Sequence, residues 1–271
     1  MNRVLKLDRR DFLKGMLGVG GGLLLGVRPS AAQMVGKGPW APNIFLSIAE
    51  DGFVTIIAHR SEMGTGIRTC LPAIVADELG ADWQQIKIEQ AIGDAAYGSQ
   101  NTDGSRSIRN FYDAMREAGA TARIMLQRAA AQEWGVAADS VEVSGHTVSH
   151  AAKKKTATIG DFVRQAAALP VPAKEQLSYR SPESYRYIGK EFPIVDRSEI
   201  TTGSAEYGMD VRLEGMKYAA ILRCPVLGGK VASYDAKEAL AVAGVEKIVE
   251  LPAVAAPFAF HALGGLAVIA S

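Results

Sequence analysis

Apolar residues at Ile108, Phe111, Tyr112, Met115, Ala118, Ala122, Met125 and Leu126 recur at intervals of three and four. That spacing places them on one face of a long helix running from Ser105 to Ala131. At about 1.5 Å per residue such a helix is roughly 40 Å long, and a dry stripe along it needs partners over most of its length. A shorter helix is predicted to end near Leu79, with Gly80 as its stop. Pro72 suits a start near Thr69, because a first-turn proline loses no hydrogen bond; a start at Gly66 predicts a kink instead.

Around these helices the sequence alternates in the manner of strands. Ile44–Ala49 and Phe53–Ala58 flank Glu50-Asp51-Gly52 and predict a β-hairpin. Ile86–Gln90 reads as a short strand, Val141–His150 as a hairpin turning at Ser144-Gly145, and Ile159–Ala168 as a further helix. Gln33–Pro42 is rich in glycine and proline and predicts an irregular arm. Leu169-Pro170-Val171-Pro172 opens a linker that continues to Tyr187. Beyond it, Met216–Arg223 and Lys230–Tyr234 are predicted strands. Asp235 is placed to cap a helix through Ala243, and Val245–Leu251 returns as a strand. Leu266–Ala270 is again strand-like and runs to the end of the sequence, which is read as a chain cut short inside a core. The fold class expected is α+β. With 271 residues and 48% apolar content there is enough material for one large domain or two smaller ones with their own cores.

The first 32 residues read as a removable export signal. Asp8-Arg9-Arg10-Asp11-Phe12-Leu13-Lys14 precedes a glycine-laden apolar stretch, Gly15–Val27, and then Pro29-Ser30-Ala31-Ala32, with Gln33 the expected new N-terminus. Paired arginines in that context point to the twin-arginine route, hence to the periplasm, and to a protein exported already folded. The apolar stretch is well short of the ~20 residues needed to span a bilayer, so no membrane span is expected after processing. The segment carries six cations and two anions, so its removal turns the formal +1 into about −3. A faintly acidic body argues against nucleic acid as a partner. The run Lys153-Lys154-Lys155 is read as a solvated loop.

Two glycine-containing corners lead directly into the two helices. Met63-Gly64-Thr65-Gly66 joins a strand to the shorter helix, and Asn101-Thr102-Asp103-Gly104-Ser105-Arg106-Ser107 precedes the long one. Glycine lets a backbone approach a ligand closely, and a helix start offers unpaired N–H donors to an anion. Two such cradles suggest a ligand with more than one phosphate, with Arg109 one turn further on as an auxiliary cation. Neither corner is a Walker loop or a Rossmann fingerprint.

Ser61-Glu62-Met63-Gly64-Thr65-Gly66-Ile67-Arg68-Thr69, with Ala76-Asp77-Glu78-Leu79 and Thr102–Ser107, resembles the xanthine dehydrogenase/aldehyde oxidase family, most closely its isoquinoline 1-oxidoreductase beta-subunit branch. Ile200-Thr201-Thr202-Gly203-Ser204-Ala205-Glu206-Tyr207 and Leu213-Glu214-Gly215-Met216 resemble that family's a/b hammerhead domain. The resemblance implies a signal peptide over 1–32, part of a molybdenum-cofactor-binding domain over 33–168, a linker over 169–187, the hammerhead domain over 188–251, and the start of a truncated segment over 252–271. It implies binding of molybdenum–molybdopterin cytosine dinucleotide, shared with a missing C-terminal part, through Met63, Gly64, Thr65, Gly66, Thr69, Gly104, Ser105, Arg106 and Ser107. Thr65 stands where the family has glutamine, so a hydroxyl replaces an amide there. The implied activity is periplasmic oxidation of an N-heterocycle or aldehyde with oxygen drawn from water. An iron–sulfur small subunit is the implied partner, and a cytochrome a possible acceptor. The family's catalytic glutamate lies in a Gly-x-Gly-Glu motif that is absent here, so no catalytic residue is assigned and the chain alone is expected to be inactive.

Other chemistry is thin. His146 and His150 share a predicted hairpin face and are read as surface residues, His59 as either a neighbour that orients the first corner or a structural residue, and His261 as terminal. Cys70 and Cys224 lack metal-ligand spacing. Two rivals stay open: a non-catalytic exported binding or assembly module on the same scaffold, and an unrelated nucleotide-binding enzyme.

Overall fold

A computed structural model describes residues 40–258 and 263–271. The export signal, most of the expected arm and His261 lie outside the described residues. The chain divides into two units, one ending at Thr201 and the other spanning Thr202–Ser271. Residues 188–201 therefore group with the first unit.

In the first unit, β1 (Trp40–Asn43), β2 (Leu46–Ile48), β3 (Val54–Ala58) and β4 (Ile86–Gln90) form a sheet in that order. β2 and β3 make the expected antiparallel hairpin, whereas β4 runs parallel to β3. A parallel neighbour demands a crossover, and α1 (Ile67–Leu79) supplies it. The expected arm ends instead in a strand, since Trp40–Asn43 pairs with β2 and buries Trp40. Period-two alternation sends Leu46, Ile48, Val54, Ile56 and Ala58 inward. They meet α1 and α2 (Arg106–Trp134), whose inner face carries Met115, Ala122, Met125 and Leu126. Ile108, counted in the stripe, is 41% exposed, although Ser107 beside it is buried.

α1 begins at Ile67 rather than Thr69, so Pro72 sits inside the helix and not in its first turn. Gly80 closes it in left-handed geometry, φ 80°, as its position predicts. α1 and α2 cross at Gly119, where an added Cβ would lie 2.6 Å from the Val75 carbonyl oxygen and 2.7 Å from Glu78 Cβ. β5 (Glu142–Ser144), β6 (Thr147–His150) and β7 (Lys155–Thr158) form a second small sheet. Lys153 is not simply solvated: its ammonium donates to the Trp134 and Gly135 carbonyls at 2.6 and 3.1 Å and caps α2. The helix expected over Ile159–Ala168 is shorter, a 3₁₀ turn at Gly160–Phe162 followed by α3 (Val163–Ala167).

The extended segment after Leu177 is clasped by two buried carboxylates on α1. Asp77 accepts the backbone N–H groups of Arg186, Tyr187 and Ile188. Glu78 accepts the Arg116 guanidinium at 2.7 Å and the Arg180 N–H at 3.1 Å, with Arg123 at 3.7 Å. Buried charge is tolerable only when paired and hydrogen-bonded in this manner. Past it lies α4 (Arg197–Thr202).

In the second unit, β8 (Tyr218–Arg223), β9 (Val245–Leu251) and β10 (Gly265–Ala270) form an antiparallel sheet with β10 in the middle. The predicted terminal strand is thus the centre of this sheet. Lys230–Tyr234, expected as a strand, is irregular. Asp235 accepts the Lys237 N–H at 2.9 Å but lies one residue ahead of the N-cap, which is Ala236, and α5 is confined to Lys237–Leu240. Among the described residues no helix is long and apolar enough to cross a membrane.

The Gly119 crossing yields a sign test. Alanine ordinarily stabilises a helix interior by about 1 kcal/mol over glycine. Here Gly119→Ala is expected to lower unfolding stability by about 1–3 kcal/mol through overpacking, measured by urea denaturation.

Candidate functional site

The end of β3 delivers four polar residues in succession, His59, Arg60, Ser61 and Glu62, and each takes a different task. Arg60 is 1% exposed. Its Nε donates to Ser107 Oγ at 3.0 Å, and its Nη1 donates to the carbonyl and hydroxyl oxygens of Ser99 at 2.6 and 2.8 Å. Its Nη2 is buried without a hydrogen bond, 3.9 Å from Asp103 Oδ1, and the guanidinium lies 5.3 Å from the Phe111 ring centre. Burial pulls its pKa down and Asp103 opposes the shift. Ser61 adds a backbone link, its N–H donating to Gln100 O at 3.1 Å while Thr102 Oγ1 donates to Ser61 O at 2.6 Å. These bonds bring together the two corners that sequence places some forty residues apart.

The corner before α2 is open. Gly104 and Ser105 both have left-handed backbones, φ 52° and 53°, and no side chain caps the helix. First-turn N–H groups have no intrahelical acceptor, and Gly104, Ser105 and Arg106 are exposed. Arg106 bonds to Asp103, and Arg109 reaches back to the Gly104 carbonyl at 3.5 Å. The result is a helix start without a side-chain cap, its Arg106 N–H turned back to the Asp103 carbonyl at 3.1 Å, with a buried guanidinium behind it and two arginines at its rim. That combination favours a multiply charged oxyanion.

The corner before α1 is filled, contrary to expectation. The Glu62 carboxylate curls forward so that Oε1 accepts the N–H groups of Met63, Gly64, Thr65 and Gly66 at 3.0, 2.8, 2.7 and 3.0 Å. Its Oε2 accepts that of Arg68 at 3.1 Å. Gly64 and Gly66, φ 91° and 75°, supply the left-handed steps that aim successive amides at one point. Burial alone raises the Glu62 pKa, but the amides of Arg68, Gly66, Thr65 and Gly64 outweigh it and leave the carboxyl below its ordinary value. The donors expected to be free for a ligand are therefore spoken for. A glutamate two positions ahead of a Gly-x-Gly helix start is the sequence signal that reveals this.

Thr69 also turns away from the second corner. It is buried, and its hydroxyl accepts the Val195 N–H at 2.9 Å. Met63, by contrast, is 66% exposed, and Thr65 is exposed beside it.

His59 is fully buried between Phe45 and Phe111, ring centres 5.0 and 4.3 Å away, with neither ring nitrogen bonded. Burial, aided by the Arg60 charge, lowers its pKa from 6.5 to about 4. His150 is buried and His146 half-buried, so neither is the free surface residue expected. His146 Nε2 donates to Gly52 O at 2.8 Å, and its Nδ1 accepts the Asp82 N–H at 3.3 Å. His150 is buried, its Nδ1 accepting the Lys153 N–H at 3.0 Å. Among the described residues no cluster of metal ligands exists, and both cysteines are free thiols.

The molybdopterin cofactor-binding domain family matches residues 5–205. The chain is 31% identical over 290 aligned residues to isoquinoline 1-oxidoreductase subunit beta of Brevundimonas diminuta, covering 91% of this chain and 37% of that protein. It is 34% identical over 252 residues to the membrane-bound aldehyde dehydrogenase (pyrroloquinoline-quinone) of Gluconacetobacter polyoxogenes, covering 88% and 32%. Among solved structures, quinoline 2-oxidoreductase from Pseudomonas putida 86 aligns with a TM-score of 0.37 at 18% identity, covering 44% of this chain and 15% of that one. The chain thus spans roughly a third of the length of the curated relatives it matches.

Two outcomes follow from the buried pair. Arg60→Met keeps the apolar stem but removes every guanidinium bond, and is expected to cost about 2–4 kcal/mol, with faster amide exchange over residues 99–107. His59 prefers to be neutral in the folded state and not in the unfolded one. Stability is therefore expected to fall as pH drops from 6.5 toward 4, by on the order of 3 kcal/mol. An NMR titration in which the His59 ring shifts near pH 6.5 contradicts this.

Proposed function

Because the chain belongs to the molybdopterin cofactor-binding domain family, we propose that it holds the phosphate-bearing end of that cofactor at the start of α2. The observation that carries the reading is Arg60, a buried guanidinium with one unbonded nitrogen directly beneath an uncapped helix start. The residues fit the group. Left-handed Gly104-Ser105 exposes backbone amides, Ser107 is fixed by Arg60, and Arg106 and Arg109 add positive charge at the rim. More than one phosphate, as in the cytosine dinucleotide form, suits that density of positive charge.

When bound, the molybdenum cofactor supplies oxidation of an electron-poor carbon with oxygen drawn from water. The chain's own residues bind and orient. Amides at the start of α2 take the anion, Arg60 neutralises it from below, and the loop 63–66 offers Met63 and Thr65 from its exposed side. No general base is assigned among them, since the Gly-x-Gly-Glu motif is absent. Turnover of an N-heterocycle or aldehyde belongs to a whole large subunit, of which this chain corresponds to about a third. An iron–sulfur small subunit carries electrons away and a cytochrome accepts them. The a/b hammerhead domain, expected over 188–251, is assigned to the second unit, Thr202–Ser271, on the motifs at 200–207 and 213–216. Arg9-Arg10 supports export to the periplasm by the twin-arginine route.

The test is cytidine diphosphate binding by the 271-residue chain, followed through amide exchange. Protection is expected over Gly104–Arg109 and its loss in Arg60→Met, with no stoichiometric molybdenum in the purified chain and no turnover. Protection elsewhere, with Gly104–Arg109 unchanged, contradicts the reading.

A further inference from the structure

The two corners look alike as sequence and differ as chemistry. At α2 the first-turn amides lack a side-chain cap. At α1 five backbone N–H groups converge on one carboxylate, four of them on a single oxygen at 2.7–3.0 Å. A point that collects four amides is a site for concentrated negative charge, and the chain fills it with its own side chain. The tether matters. Glu62 is one residue from the first donor it serves, so its local concentration far exceeds that of any dissolved anion. The exposed parts of the loop are then the Met63 and Thr65 side chains on its outer face.

We propose that Glu62 is a built-in anion and a positioning residue: its carboxylate shapes the 63–68 loop before any ligand arrives and closes that corner to phosphate. The loop meets a ligand with its outer face, and the anionic part of the ligand goes to the start of α2. The identity of that ligand rests on the function proposed above, while the part played by Glu62 does not. No contact of Glu62 with a reacting atom is required. The device also explains why glycine is needed at position 64, where an added Cβ would meet nothing within 4 Å. The requirement there is the left-handed φ of 91° that turns the amides inward, and not space.

Amide exchange in the cofactor-free 271-residue chain tests this without activity. In Glu62→Ala the amides of Met63, Gly64, Thr65, Gly66 and Arg68 are expected to exchange about tenfold faster or more, as hydrogen bonds to a charged acceptor demand. Formate, a free carboxylate small enough for the vacated hole, is expected to restore protection in proportion to its concentration while leaving the parent chain unchanged. Glu62→Asp keeps the charge one methylene short and is expected to fall between the two, which preserves the test if the alanine variant folds poorly. Parent-like protection in Glu62→Ala overturns the proposal, and so does protection that formate does not restore. Because these measurements need no cofactor, their failure leaves the cofactor reading standing. Failure of cytidine diphosphate to protect Gly104–Arg109 sinks that reading and leaves Glu62 in place.

Discussion

A single buried cation organises this site. Arg60 leaves the end of β3 and, within one guanidinium, binds a hydroxyl on α2 and both oxygens of Ser99. Removing such a charge from water is costly unless nearly every donor finds an acceptor. The backbone around residues 99–107 has folded to provide those acceptors, and one donor is left over. The open corner at α2 follows from this arrangement: Ser107 is held from beneath, so its helix start faces outward without a cap.

Carboxylates do the complementary work. Asp77 and Glu78 on α1 gather the N–H groups and arginines of the segment after Leu177, and Asp196 holds Arg68 at 2.8 Å. Glu62 gathers the loop before the same helix. At Asp77, Glu78 and Glu62 a charged oxygen replaces hydrogen bonds that an irregular stretch of chain cannot make with itself. The site is therefore rigid where its backbone is least regular, which is what a cradle for a ligand's charged end requires.

Sequence conveyed the parts of this with a period or a fixed local shape. The β2–β3 hairpin, the stripe on α2 from Met115 onward, the Gly80 stop and the joining of glycine corners to helix starts are all local, and all appear where the residues predict. What could not be read depends on partners far apart or on a side chain's path. Arg60 and Ser107 are 47 positions apart, and no periodicity links them. Glu62 was visible as a residue, but not that its rotamer folds forward over the amides. His146 misled for a similar reason, since it bonds to Gly52 backbone that only the assembled sheets bring near, whereas His150 bonds locally to the Lys153 N–H. The place of β10 at the centre of its sheet is likewise a matter of long-range pairing.

The central claim is that an oxyanion sits at the start of α2 over Arg60 and not in the Glu62 loop. Anomalous diffraction from crystals of the chain soaked in tungstate, a tetrahedral dianion heavy enough to locate, tests it directly. A tungsten peak within hydrogen-bonding reach of the Ser105–Arg109 amides, with Glu62 undisturbed, is the result predicted. A peak inside the 63–68 loop with Glu62 displaced contradicts the account.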